Sequence, residues 1–131
     1  MWGDRRYHDG LKLAVNDKFA DQIAAGQVEV NLGYSTTVVD RFAEAYFDWI
    51  YIDTDHSYRT TKLELEKYSL KVKPGGIIAG HDYIIGGWNR VVRYGVIEAV
   101  NEFCVTHHWE MIYLSLERSI SPSFAIRKMD A

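Results

Sequence analysis

Cysteine is almost missing from this chain. Cys104 is the only one in 131 residues, so no internal disulfide and no cysteine-built zinc site can form, and a reducing, cytoplasmic setting is expected. Long apolar runs are missing too: none approaches the roughly 20 residues of a membrane span. The first residues also lack the apolar core of a signal peptide, so neither a membrane partner nor export is expected. Neither sign of charge dominates. Fifteen Lys and Arg stand against eighteen Asp and Glu, a net charge of -3, with no basic stripe to track a phosphate backbone, so nucleic acid is not an expected partner. Repeats and low-complexity segments are lacking as well. What remains is 47% hydrophobic, enough for the core of one domain over residues 1–131.

The apolar residues alternate between helical and strand periods. Leu11, Val15, Phe19 and Ile23 recur every four positions, the stripe of a helix that Gly26 can end. A short strand is expected at 28–32, followed by a turn at Gly33 and Tyr34. Ser35 can cap a second helix whose buried stripe is Val38, Val39, Phe42 and Tyr46. The run 47–52 is almost continuously apolar and stops at Asp53, the pattern of a central parallel strand buried on both faces. A helix to about residue 70 is expected to turn Tyr58, Leu65 and Tyr68 inward and a Lys62/Glu66 pair outward. After Pro74, Gly75 and Gly76, a strand at 77–79 ends in Gly80, His81 and Asp82. A last helix over about 89–104 has Gly95 near its middle and Val92, Val96, Ala99, Val100 and Phe103 inward. Strands near 109–114 and 123–127 close the chain as a hairpin.

Strands alternating with helices imply an α/β fold with a parallel sheet, and ligands of such sheets bind outside the carboxyl ends of the strands. Three groups of residues qualify: Gly33, Tyr34 and Ser35; then Asp53, Asp55 and His56; then His81, Asp82 and Tyr83. The last two groups together offer three carboxylates and two imidazoles, a donor set suited to a divalent cation such as Mg2+ or Mn2+. Alternatively, His56 or His81 can take a proton from a substrate hydroxyl, oriented by Asp53 or Asp55. The plainer reading is that these groups cap helices, for which Asp55 and Ser57 are good candidates. Trp88, after Gly86 and Gly87, can line a pocket or staple its loop to the last helix. His8, His107 and His108 read as surface residues.

The ordered series Phe47-Asp48-Trp49-Ile50-Tyr51-Ile52-Asp53, Asp55-His56-Ser57-Tyr58 and Lys73-Pro74-Gly75-Gly76-Ile77-Ile78-Ala79-Gly80-His81-Asp82-Tyr83, continued by Gly95-Val96, Ala99-Val100 and Phe103, resembles a class of S-adenosylmethionine-dependent methyltransferases. It corresponds to that family's fourth strand, fifth strand and following helix, and Gly33 with Ser35 matches the turn after the third. The resemblance covers most of the chain from about residue 11. It implies a Rossmann-like three-layer sandwich with a mostly parallel sheet and an antiparallel C-terminal strand. It also implies methyl transfer from S-adenosylmethionine, commonly to an oxygen of a small hydroxylated acceptor. By the same resemblance Gly33, Tyr34, Ser35 and Asp53 are cofactor-binding candidates and Asp53, His81 and Asp82 metal ligands, while the chemistry of the residues themselves makes Asp53, His56 and His81 the catalytic candidates. The related metal-dependent O-methyltransferases hold the acceptor oxygen on a divalent ion at these strand ends.

The first two strands of that fold and the glycine-rich turn between strand and cofactor have no counterpart in this sequence, so it reads as a domain lacking the family's N-terminal third. The family places those strands between its third and fourth. Their absence leaves two strand edges to be paired, and a homodimer through these edges is expected. The alternatives are a non-catalytic binding or assembly module and a metal-dependent hydrolase built on Asp53, Asp55, His56, His81 and Asp82.

Overall fold

The computed structural model describes residues 5–86, 92–116 and 121–130. The chain divides into two compact units, Met1–Gly33 and Tyr34–Ala131.

The first unit holds α1 (Arg5–Lys18) and α2 (Ala20–Ala24). The expected helix is thus two helices broken at Phe19, and Gly26, with φ of 70°, ends them as anticipated. The stripe does not build a core: Leu11 and Val15 are exposed. The strand expected at 28–32 does not form. Those residues pair with no described strand, and Val30 and Leu32 are exposed. A β-prone stretch becomes a strand only when a neighbour accepts its backbone hydrogen bonds.

The second unit contains α3 (Ser35–Val38) running into a 3-10 turn (Val39–Arg41), β1 (Phe47–Ile52), α4 (Tyr58–Tyr68), β2 (Val72–Gly80), α5 (Val96–His107), β3 (Trp109–Leu114) and β4 (Phe124–Lys128). The sheet order is β1-β2-β4-β3. β1 and β2 are parallel, and β4 runs antiparallel to both β2 and β3. Three strands therefore share one direction and the C-terminal strand opposes them, which is the mostly parallel α/β sheet expected. The closing hairpin is also found where it was expected.

The core lies where α4 and α5 meet the sheet. Leu65 of α4 and Val96, Ala99, Val100 and Phe103 of α5 pack with Ile52, Ile78, Phe124 and Ile126. Leu65, Ile78, Val100 and Ile126 are fully buried; burying each such side chain is worth about 1.5–3 kcal/mol relative to leaving it exposed. The opposite sheet face differs. On β1 Trp49 is 65% exposed and Tyr51 is exposed, and at the other end of the sheet Tyr113 of β3 is exposed as well. β1 is therefore not the doubly buried central strand that its apolar run suggested. It lies at one end of this sheet and, among the described residues, pairs only with β2.

Several boundaries move for identifiable reasons. The helix after Ser35 is only four residues long before the 3-10 turn, and Tyr46 is exposed rather than buried. Ser35 is the first helical residue and not its cap, because its hydroxyl is taken by Glu64. Gly95 is not inside the last helix but caps it. A Cβ there would collide with the Tyr58 backbone nitrogen, so only glycine lets the start of α5 approach the start of α4 this closely. Val92 is accordingly outside the helix and exposed. Tyr58 is exposed too, with its hydroxyl on Glu102, and Lys62 pairs with Glu102 at 2.7 Å rather than with Glu66. Trp88 lies outside the described residues.

Candidate functional site

The carboxyl ends of β1 and β2 lie side by side because Ile52 is in register with Gly80. Gly80 is required there: a Cβ would come within 2.7 Å of the Phe124 ring and 2.9 Å of the Ile52 carbonyl. The His81 amide donates to that same carbonyl at 3.0 Å. The two polar segments that follow the strands are thus brought to one place.

Four of the sequence-predicted residues meet there. His56 Nε2 lies 2.8 Å from Asp82 Oδ2 and 3.4 Å from Asp53 Oδ1. His81 Nδ1 lies 3.3 Å from Asp82 Oδ2 and 4.0 Å from Asp53 Oδ2. Asp82 is the buried centre, 6% exposed, while Asp53 faces solvent. One ligand atom each from Asp53, His81 and Asp82 fall within 4.8 Å of one another. Two carboxylates and an imidazole converging in this way are a donor set that fits a divalent ion such as Mn2+.

The backbone is committed to this arrangement. His56 and Asp82 both have positive φ, 63° and 56°, a conformation costing a residue with a Cβ about 1–2 kcal/mol. His56 is further held by its carbonyl, which accepts from Gly95 N at 2.8 Å, and by its ring against Tyr94, with centroids 4.7 Å apart. Such strain persists only where the surrounding contacts determine it.

Asp55 is not part of the cluster. It accepts from Ser57 N at 2.9 Å and from Thr60 Oγ1 at 2.8 Å, while Ser57 Oγ accepts from Thr60 N. Burial works to raise its pKa, but the bonds from Ser57 and Thr60 outweigh it and hold the carboxyl below its usual range. Asp55 and Ser57 therefore start α4, as the plainer reading had it, and His56 is oriented by Asp82 and Asp53 instead.

The third predicted group divides. Gly33 ends the N-terminal unit with φ of 145°, which glycine adopts freely. Tyr34 and Ser35 open the second unit. Tyr34 is 84% exposed, whereas the Ser35 hydroxyl donates to Glu64. Glu64 is fully buried and also accepts from Thr54 Oγ1 at 2.9 Å. Burial raises its pKa above the ordinary carboxylate value, against the opposing effect of the two hydroxyls. Glu64 and Thr54 were missed in the sequence. The available signal was spacing: Thr61, Glu64, Leu65 and Tyr68 share one helix face, and a Glu in that stripe must find partners inside.

Comparison with known proteins agrees with this fold. A family model described as a methyltransferase domain matches residues 6–83, more than half of the chain and all of the Asp53–Asp82 cluster. The chain belongs to this methyltransferase domain family. No curated protein matches it by sequence. Among solved structures, the methyltransferase domain resembles a protein from Thermus thermophilus, provisionally described as a DNA modification methylase and solved with S-adenosyl-L-methionine. The TM-score is 0.55 at 9% identity, over 76% of this chain and 53% of that one. It also resembles the O-methyltransferase from Bacillus cereus, solved in complex with SAH, with a TM-score of 0.54 at 17% identity, over 84% and 56% of the two chains. At these identities the likeness is one of fold, and the chain spans about half the length of these structures. No helix among the described residues is long and apolar enough to cross a membrane.

Proposed function

We propose that this domain is the acceptor-side part of an S-adenosylmethionine-dependent O-methyltransferase. Its acceptor would be a small hydroxylated molecule held at Asp53, His56, His81 and Asp82. The observation that carries the reading is the convergence of two carboxylates and an imidazole within 4.8 Å at the carboxyl ends of β1 and β2, in a chain of methyltransferase family. That S-adenosylmethionine and SAH accompany the two neighbouring folds supports the choice of cofactor. For the cofactor, this chain offers the exposed Tyr34 and Asp53 and the half-buried Ser35.

Asp53, His81 and Asp82 are the proposed ligands of Mg2+ or Mn2+. A divalent ion at this point supplies Lewis acidity, lowering the pKa of an acceptor hydroxyl. The chain's own residues do the rest. Asp82, buried and bonded to His56 Nε2, fixes the imidazole's orientation. His56 is then the base that accepts the acceptor's proton, and the carboxylates stabilise the resulting imidazolium. His81 and Asp53, the more exposed pair, hold the acceptor oxygen in line for attack, where orientation itself contributes to rate. Self-association along β1 is part of the proposal: β1 lies at a sheet end and carries the exposed Trp49 and Tyr51, an edge that invites pairing.

Calorimetric titration of SAH and of Mn2+ into the purified chain, with light scattering on the same sample, tests the reading. Micromolar SAH binding by a dimer is expected. Binding of Mn2+ without SAH would favour the metal-dependent hydrolase instead, and binding of neither would leave a non-catalytic module.

A further inference from the structure

α4 ties together two chain segments that the proposed reading places around the cofactor. From its inner face Glu64 reaches both, accepting from Ser35 Oγ at the start of α3 and from Thr54 Oγ1 beside Asp53. Tyr68, one turn later, donates from its hydroxyl to the Ser35 carbonyl at 3.1 Å. Lys67 donates to the Thr36 carbonyl at 2.8 Å and pairs with Asp40 at 3.0 Å. α3 is four residues long, too short to hold its own shape by helical bonding. Its position is thus set largely by α4.

We infer that Glu64 is a positioning residue, one that holds the Tyr34–Ser35 turn at a fixed distance from Asp53 so that both can contact the same nucleoside. The inference rests on the proposed methyltransferase reading and adds to it a residue that touches neither cofactor nor acceptor. The chemistry suits the task. An ionised carboxylate only accepts, so it satisfies both hydroxyl hydrogens at once and leaves the Ser35 and Thr54 oxygens with lone pairs. Those lone pairs can accept from ligand donors, such as ribose hydroxyls or an exocyclic amine. An apolar side chain at 64 would leave two hydroxyls to find other partners. A fully buried acid at this place also has no access to solvent for any other purpose.

The test compares the wild-type chain with Glu64→Ala and Glu64→Gln, titrating SAH and Mn2+ separately and following amide exchange. Glu64→Ala is expected to weaken SAH about tenfold while Mn2+ affinity stays within about twofold. Glu64→Gln, whose amide can still bond both hydroxyls, is expected to recover most of the SAH affinity. The Thr37 and Val38 amides, which donate to the Tyr34 carbonyl at 2.9 and 2.8 Å, should exchange faster in Glu64→Ala with the β2–β4 amides unchanged. Should Glu64→Ala not fold, Thr54→Val removes one arm and is expected to weaken SAH about threefold. Unchanged SAH affinity in these variants would overturn the inference alone, as would an equal loss of SAH and Mn2+, which would mark general loosening. A wild-type chain that binds no SAH would overturn the methyltransferase reading and this inference with it.

Discussion

The two faces of the sheet are made from the same strands and share almost nothing else. On one face Ile52, Ile78 and Ile126 are sealed beneath α4 and α5. On the other, Trp49, Tyr51 and Tyr113 stand exposed, with Arg127 and Glu110 paired across β4 and β3 at 3.0 Å. Within β1 the contrast alternates from Trp49 to Ile52, with Trp49 and Tyr51 exposed and Ile50 and Ile52 turned inward. Both faces carry apolar residues; among the described residues, only one is covered by helices of its own unit. Stability therefore resides on the helix side, while the open face and the β1 edge are where association can occur.

The sharpest way to break that contrast is mutation of matched residues on the two faces. Ile78→Ala is expected to lose about 2–5 kcal/mol of unfolding free energy, the range for deleting a large aliphatic group from a packed core. Trp49→Ala is expected to change it by less than about 0.5 kcal/mol. Urea denaturation of the two variants decides; similar losses would show that both faces carry the fold. If the open face serves association instead, Trp49→Ala should shift the light-scattering mass toward monomer at the same concentration.

Next in size is Asp82→Asn. It keeps the shape of the buried centre but removes its charge, and should weaken Mn2+ by about tenfold or more; unchanged affinity would remove Asp82 from the metal site. The variant should also disturb the His56 ring, visible in the imidazole NMR signals.

Glu64 gives a smaller, pH-dependent effect. Burial raises its folded pKa, Asp55 nearby pushes the same way, and Ser35, Thr54 and His56 push against. A raised carboxyl pKa contributes stability that is complete below the unfolded value near 4.5 and is lost as pH rises through the folded value. Glu64→Gln cannot titrate. Its stability relative to wild type should therefore increase with pH from about 4.5 upward, measured as the difference between denaturation midpoints. A flat difference would mean that folding leaves the acid unperturbed.

The smallest effect belongs to the surface cluster of Tyr58, Lys62 and Glu102, also built around a carboxylate. Here Lys62 and Tyr58 lower the Glu102 pKa and Glu102 raises that of Lys62. The cluster is open to solvent, where such pairs are screened. Lys62→Met should leave the thermal midpoint unchanged within error and remove only its salt dependence.

Much of this was legible in the residues. The apolar run ending at Asp53 and the Pro74-Gly75-Gly76 break before Ile77 located β1 and β2, because strand period and turn chemistry are local properties. From these the meeting of Asp53, His56, His81 and Asp82 followed, since parallel strands place their carboxyl ends together. The failures were non-local. Residues 28–32 have strand composition but pair with no strand among the described residues, Gly95 has the spacing of a helix interior but Tyr58 packs against it, and the sequence of β1 reports apolarity on both faces and not what covers them.

The sequence by itself determined the α/β alternation, the strand ends that carry polar chemistry, and the turn of Asp55 and Ser57 that starts α4, because each depends on residues within a few positions. Only the tertiary structure decided that Glu64 would be buried between Ser35, 29 positions away, and Thr54, 10 positions away. It also decided that Asp82, rather than Asp53 alone, would orient His56. Those outcomes arise from packing between elements, where desolvation and hydrogen-bond satisfaction are set by neighbours distant in the chain.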